Sequence, residues 1–185
     1  MSSAARTSSE YRPFPDEHGR NWRQEHVEIP LMLHTLRLPR GARVLEVGCG
    51  RGIALPTLAR HLTPARLVGI DIDTSLLADA RRRLDETGTR AELIVADVRC
   101  LPFPDGYFDL IIDFGTCFHV ARAEQALNEV ARALTFAGIF ATETRLSQML
   151  SHPIRSRGRR LPWSAAQTLA PRRGAGLWQS HWRCR

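Results

Sequence analysis

Between residues 42 and 144 the apolar positions follow two rhythms. Short, mainly apolar runs (Ala42–Val47, Leu67–Ile72, Glu92–Ala96, Phe108–Asp113 and Ile139–Thr144) are too brief for stable helices and rich in Val, Ile and Leu. Such runs read as strands, and the most continuous of them as strands covered on both faces. Between them apolar residues return every three or four positions, the period of a helix with one buried side. The stretch from Ile53 to Leu62 tolerates Pro56, because a proline in the first helical turn gives up no hydrogen bond. Asp73 or Thr74 caps the next helix, which carries Leu76, Leu77, Ala80 and Leu84 at helical spacing and stops near Gly88. A third helix is predicted over Glu124–Leu134, with Leu127, Val130, Ala131 and Leu134 on one face. Upstream, a helix is predicted over Asn21–Thr35 with a break at Pro30, and Pro39 and Gly41 separate it from the first strand. Leu101–Gly106 is a Pro/Asp/Gly loop.

Strands that alternate with helices and show no hairpin signal imply parallel pairing through right-handed crossovers. The predicted fold is α/β, a doubly wound, mostly parallel sheet with helices on both faces. Ligands of such sheets bind beyond the carboxyl ends of the strands, where the strand order reverses. One domain is expected over residues 21–145. A Ser-, Pro- and charge-rich segment, 1–20, is expected to be mobile, and an Arg-rich tail occupies 146–185.

Charge changes this picture only at one end. The net charge of +7 is carried entirely by Arg, since the chain has no Lys. From Arg145 to Arg185 there are nine Arg and no acidic residue, so the tail is +9 and the rest of the chain −2. The body is therefore mildly acidic, and the tail reads first as a solvated end. Cys49, Cys100, Cys117 and Cys184 form no Cys-x-x-Cys pair, so each reads as a small residue in a reducing compartment rather than a disulfide or zinc ligand. No metal site is expected. No apolar run approaches the ~18 residues that span a bilayer, and the N-terminus lacks the apolar core of a secretion signal. A cytoplasmic protein without membrane attachment is expected.

The candidate chemistry lies where strands end. Val44-Leu45-Glu46-Val47-Gly48-Cys49-Gly50-Arg51-Gly52 delivers an acid at a strand end and then three alternate glycines, which let the backbone turn sharply and approach a ligand. The dinucleotide pattern G-x-G-x-x-G would need glycine at 53, where this chain has Ile. Gly69-Ile70-Asp71-Ile72 closes the second strand with a carboxylate 25 residues after Glu46, and a carboxylate suits a ribose diol because it accepts two hydrogen bonds. Ala96-Asp97-Val98 closes the third, and Leu101-Pro102-Phe103-Pro104-Asp105-Gly106-Tyr107-Phe108-Asp109 leads into the fourth, which ends at Asp113 and Phe114.

These four motifs in this order resemble the class I S-adenosylmethionine-dependent methyltransferases, over about residues 42–144. The resemblance implies a Rossmann-like methyltransferase fold with S-adenosyl-L-methionine as cofactor. Gly48, Cys49 and Gly50 would pack against its methionine part, with Glu46 near its amino group. Asp71, followed by Ile72, would take the ribose hydroxyls, and Asp97 with the amide of Val98 would meet the adenine edge. Asp113 and Phe114 would lie beside the sulfonium. The pattern departs from the family at Leu134-Thr135-Phe136-Ala137-Gly138, where members usually read Leu-Lys-Pro-Gly-Gly.

A small-molecule acceptor is the preferred reading. Asp113-Phe114-Gly115-Thr116 replaces the Asn/Asp-Pro-Pro-aromatic signature of amino-group methyltransferases such as those acting on DNA. His119 is the candidate general base, against a structural histidine that lines the pocket. An RNA or other polyanion acceptor gripped by the Arg/Trp tail is the alternative, and a cofactor binder without turnover a third. Family members normally add an antiparallel hairpin after the fifth strand. Here Gly176-Leu177-Trp178 could begin a sixth strand and no seventh is visible, so the hairpin is expected to be incomplete or absent. An open fifth strand, with Trp163, Trp178 and Trp182 nearby in sequence, predicts homodimerisation or low stability.

Overall fold

The computed structural model describes residues 17–36, 38 and 41–143. Its elements run α1 (Glu17–Arg23), a π-helical turn (Gln24–Glu28), α2 (Ile29–Thr35), β1 (Arg43–Val47), α3 (Leu55–Leu62), β2 (Arg66–Asp71), α4 (Thr74–Thr87), β3 (Glu92–Val95), β4 (Phe108–Asp113), α5 (Ala123–Ala133) and β5 (Leu134–Thr142). The five strands form one parallel sheet in the order β3-β2-β1-β4-β5. The order reverses at β1, which pairs with β2 on one side and β4 on the other.

Alternation along the strands sorts the core into two layers. Val44, Leu67, Leu110, Ile112 and Ala141 face α2, α3 and α4, meeting Ile29, Met32, Leu33, Leu55, Leu58, Leu77 and Leu84. Leu45, Val47, Val68, Ile70, Ile111 and Phe140 face the other way, onto Ala126, Val130 and Ala133 of α5 and onto Phe103 and Phe108. Burying one such aliphatic side chain contributes about 1.5–3 kcal/mol, so both layers are needed to hold the sheet. The doubly wound arrangement is the one expected from the apolar rhythm.

Local signals act where they were anticipated, with two exceptions. Asp73 caps α4, accepting from the amides of Ser75 at 2.8 Å and Leu76 at 3.3 Å, and Gly88 ends it in a left-handed conformation. Pro30, however, does not break the N-terminal helix. The five residues before α2 widen into a π turn, and Pro30 then falls in the first turn of α2, where its missing N–H is tolerated. The second exception is β5, which begins at Leu134 rather than Ile139. Phe108 pairs with Leu134 and Leu110 with Ile139, so residues 135–138 bulge out opposite Asp109 alone. Without the Pro-Gly-Gly of a tight turn, this stretch loops out of the ladder and leaves Phe136 89% exposed.

Cys49 and Cys117 are buried free thiols, as expected of small core residues. Cys100 is exposed, where a buried or half-buried residue was expected. Among the described residues no helix is long and apolar enough to cross a membrane, and no cluster of His, Cys, Asp and Glu could hold a metal ion. The expected sixth strand, the tail with its tryptophans and the first sixteen residues lie outside the described residues.

Candidate cofactor site

The carboxyl edge of the sheet carries one acid per strand. In spatial order these are Asp97 just past β3, Asp71 ending β2, Glu46 next to last in β1, Asp113 ending β4 and Glu143 just past β5. The sheet's own backbone brings them together. Cys49 donates to the carbonyl of Ile70 at 2.8 Å, Ala96 to that of Asp71 at 3.1 Å, and Glu143 to that of Asp113 at 2.8 Å. Each bond extends the parallel ladder past the strand ends and sets the next acid beside its neighbour.

The glycine turn sits in the middle of this row. Gly48 has φ +64°, and a Cβ there would overlap the side chain of Thr116, so the loop after β4 packs directly on the hinge. Gly50 has φ +50°, and a Cβ on it would meet nothing within 4 Å, so the backbone here faces open space. Its amide donates to Asp71 Oδ2 at 2.9 Å, while Asp71 Oδ1 accepts from the amide of Asp73 at 2.9 Å. Asp71 thus braces the hinge and keeps further lone pairs for a ligand. Ile72, next along the chain, projects into solvent at 66% exposure.

Glu46 differs from the other four acids. It is 3% exposed, and among the described residues its Oε2 has no hydrogen-bond partner. Burial, followed by the nearby charges of Asp71 and Asp113, pushes its carboxyl well above the ordinary carboxylate range. Asp113 is fully buried and also raised by burial, but its oxygens are occupied. They accept from the amides of Thr116 and Cys117 and from the Thr142 hydroxyl at 3.2 Å. Its carboxyl therefore holds the turn after β4 instead of facing the crevice, and Phe114 leans onto the α2–α4 side of the core. Asp97 is engaged as well. Arg99 grips both of its oxygens, with Nε at 2.9 and 3.0 Å, and holds its carboxyl below the usual range. Val98 is buried in the α5 layer. His119 is half-buried in the loop after β4, its amide bonded to the carbonyl of Thr116 at 2.9 Å.

Of the residues singled out in the sequence, the fold gathers Glu46, Gly48, Cys49, Gly50, Asp71, Ile72, Asp97, Val98, Asp113 and Phe114 along one edge. Three participants were missed. Thr116 covers Gly48, Arg99 pairs with Asp97, and Glu143, just past β5, has Arg20 of α1 against it at 3.1 Å. Glu143 follows from a strand ending in an acid like the four before it, but the Arg20 partner lies 123 residues away and has no local signal.

Residues 44–138 match the family described as a methyltransferase domain. The chain is 39% identical over 100 residues to the fatty-acid O-methyltransferase of Mycolicibacterium smegmatis, covering 54% of this chain and 36% of that protein. It is 35% identical over 118 residues to the demethylmenaquinone methyltransferase of Thermus thermophilus, covering 63% and 50%. Among solved structures, the PH0226 protein of Pyrococcus horikoshii superimposes with a TM-score of 0.60 at 29% identity, covering 76% of this chain and 65% of that one. The chain spans about a third to a half of the length of the curated relatives it matches.

Proposed function

Because this chain belongs to the methyltransferase-domain family, within the class I S-adenosylmethionine-dependent group, we propose that it moves a methyl group from S-adenosylmethionine to a small-molecule acceptor. The observation that carries the proposal is the unpartnered Oε2 of buried Glu46 beside a glycine hinge that opens at Gly50. A cation with hydrogen-bond donors is what such a carboxyl lacks, and the cofactor's α-ammonium is one.

The remaining assignments follow the same edge. The backbone of Gly48, Cys49 and Gly50 would border the methionine part, Asp71 would take the ribose diol, and Ile72 would lie against the base. Asp97 would accept from the adenine amine once Arg99 lets go of one oxygen, with the amide of Val98 beside it. Asp113 would act through the turn it holds, keeping Phe114 and Thr116 in place at the sulfur end. When bound, S-adenosylmethionine supplies an electrophilic methyl on cationic sulfur, which an acceptor attacks in line. The acidic edge favours that cation electrostatically. His119 is the candidate base for an acceptor that must lose a proton. The loops after β4 and β5 and the N-terminal segment, tied to β5 by Arg20 and Glu143, would enclose the acceptor. We take 21–145 as the unit that does this, with the tail apart from it.

A small acceptor is supported by the relatives, whose names describe a fatty acid and demethylmenaquinone as acceptors. Calorimetric titration with S-adenosylmethionine, followed by methyl-transfer assays over fatty acids, quinols and RNA, tests the proposal. One-to-one binding with turnover of a small molecule is expected. No binding at about 1 mM ligand would refute the cofactor site. Binding with turnover of RNA alone, or with none, would refute the acceptor class.

A further inference from the structure

We infer that a ligand bringing an ammonium group to Glu46 drives a proton off its carboxyl, so that cofactor binding by this chain is coupled to proton release. The inference rests on the cofactor reading above, and it concerns one residue.

Three acids lie side by side on the middle strands, and two of them have their donors within the protein. Asp71 on β2 accepts from the amides of Gly50 and Asp73. Asp113 on β4 accepts from Thr116, Cys117 and Thr142. Glu46 on β1, between them, has an oxygen with no donor among the described residues and almost no exposure to water. The charged groups that act on it from both neighbouring strands are carboxylates. The Cys49 thiol on the adjoining loop is buried and pushed far up, so it stays neutral. One strand further out, Glu143 is already matched by Arg20. A buried carboxylate between two others and short of a donor is the member of the set that holds a proton, because the desolvated charge costs more than the O–H bond.

An ammonium at Oε2 reverses that balance by supplying both a positive charge and N–H donors. The O–H bond of the carboxyl breaks, the proton passes to the buffer, and the carboxylate so formed accepts from the ammonium. No other bond changes. Apparent affinity then rises with pH by up to about tenfold per unit, over the range between the carboxyl's titration in the complex and in the free protein. A ligand that keeps the nucleoside but lacks the ammonium, such as 5′-methylthioadenosine, has no reason to expel the proton.

Titration calorimetry of the full chain with S-adenosylhomocysteine, at about pH 6.5 in phosphate and again in Tris, reads the proton directly as the difference in heat between the buffers. Net release of protons on binding is expected, falling to none for 5′-methylthioadenosine. Glu46→Gln, its fold checked by thermal melting, should bind S-adenosylhomocysteine without release. Binding by the wild-type chain with identical heats in both buffers would overturn the inference while leaving the cofactor reading intact. Undiminished release from a folded Glu46→Gln would also overturn it, by locating the proton elsewhere. Failure of the wild-type chain to bind any adenosyl ligand would sink the cofactor reading, and this inference with it.

Discussion

Replacing Asp71 by alanine separates a carboxylate that only braces a loop from one that also receives a nucleoside. In the free protein its two oxygens take the amides of Gly50 and Asp73, both at 2.9 Å. A carboxylate has about four acceptor positions, so roughly two remain for the vicinal hydroxyls of a ribose. Hydrogen bonds to a charged group contribute about 1.5–3 kcal/mol. Loss of the diol contact alone should therefore raise the dissociation constant of S-adenosylhomocysteine roughly 10- to 150-fold. The two freed amides lie where water can reach them, so the folded state should lose only about 1–2 kcal/mol. Calorimetric titration gives the first quantity and urea unfolding the second. Glu92→Ala supplies the control, because that acid sits at the amino end of β3, paired with Arg66, on the far side of the sheet. An Asp71→Ala chain that binds within twofold of wild type, or a Glu92→Ala chain that loses as much, would refute the assignment.

Other consequences can be checked by unfolding experiments. A Cβ at Gly69 would stand 2.9 Å from Cys49 Sγ and 3.1 Å from Leu55 Cδ1, so Gly69→Ala should destabilise by about 1–3 kcal/mol. Adding Cys49→Ala should restore part of that loss in urea melts, and strict additivity would show that the contact is not the cause. Arg20→Ala removes a cation that faces the buried carboxylates of Glu143 and Glu28 and should cost about 3–5 kcal/mol, of which Glu143→Gln in the same chain returns a part; equal melts for the single and double variants would contradict this. Glu46 and Asp113 bind protons more tightly folded than unfolded, so their contribution is full below the ordinary values of 4.5 and 3.8 and is lost as pH rises through the higher folded ones. Above about pH 5, where acids held low such as Asp97 are ionised folded and unfolded alike, stability should therefore fall as pH rises, less steeply in Glu46→Gln, and a wild-type chain equally stable across that range would count against both shifts.

The parts of this molecule that could be read from the chain are those fixed by neighbours in sequence. The order of strands and helices follows from apolar spacing, and β4 has the predicted boundaries because Asp113 and the loop before Phe108 bracket an unmistakable run. The Asp73 cap and the Gly88 stop are likewise local chemistry. The errors fall where distant residues decide. Pro30 reads as a helix break, but packing of Ile29, Met32 and Leu33 against α3 and the sheet holds the helix together, and the backbone answers with a π turn. The early start of β5 depends on pairing with Phe108 and on a bulge that no spacing rule announces. At the site, acids at strand ends were legible, whereas their donors were not. Whether Asp97 faces a ligand or Arg99, and whether Asp113 faces the crevice or Thr116 and Thr142, is settled by loop geometry rather than composition.

That difference in donors decides how the row of acids should be understood. An acid at the end of a strand has an ordinary structural use, which is to satisfy amides that the ladder no longer reaches. Asp113 and Asp73 are fully explained in this way, and Asp97 and Glu143 by arginine partners. Asp71 is half explained, since its two amides leave acceptor positions over. Glu46 is not explained in this way, because burial raises the energy of its charge and the described residues offer Oε2 no donor in return. A leucine would fill the same space without that penalty, as the apolar Val44 does two residues earlier on the same face of the strand. The folded state alone thus gives no reason for a carboxyl at this position, whereas a cationic ligand entering beside Gly50 does. The residue least accounted for by folding is the one on which the binding hypothesis most depends.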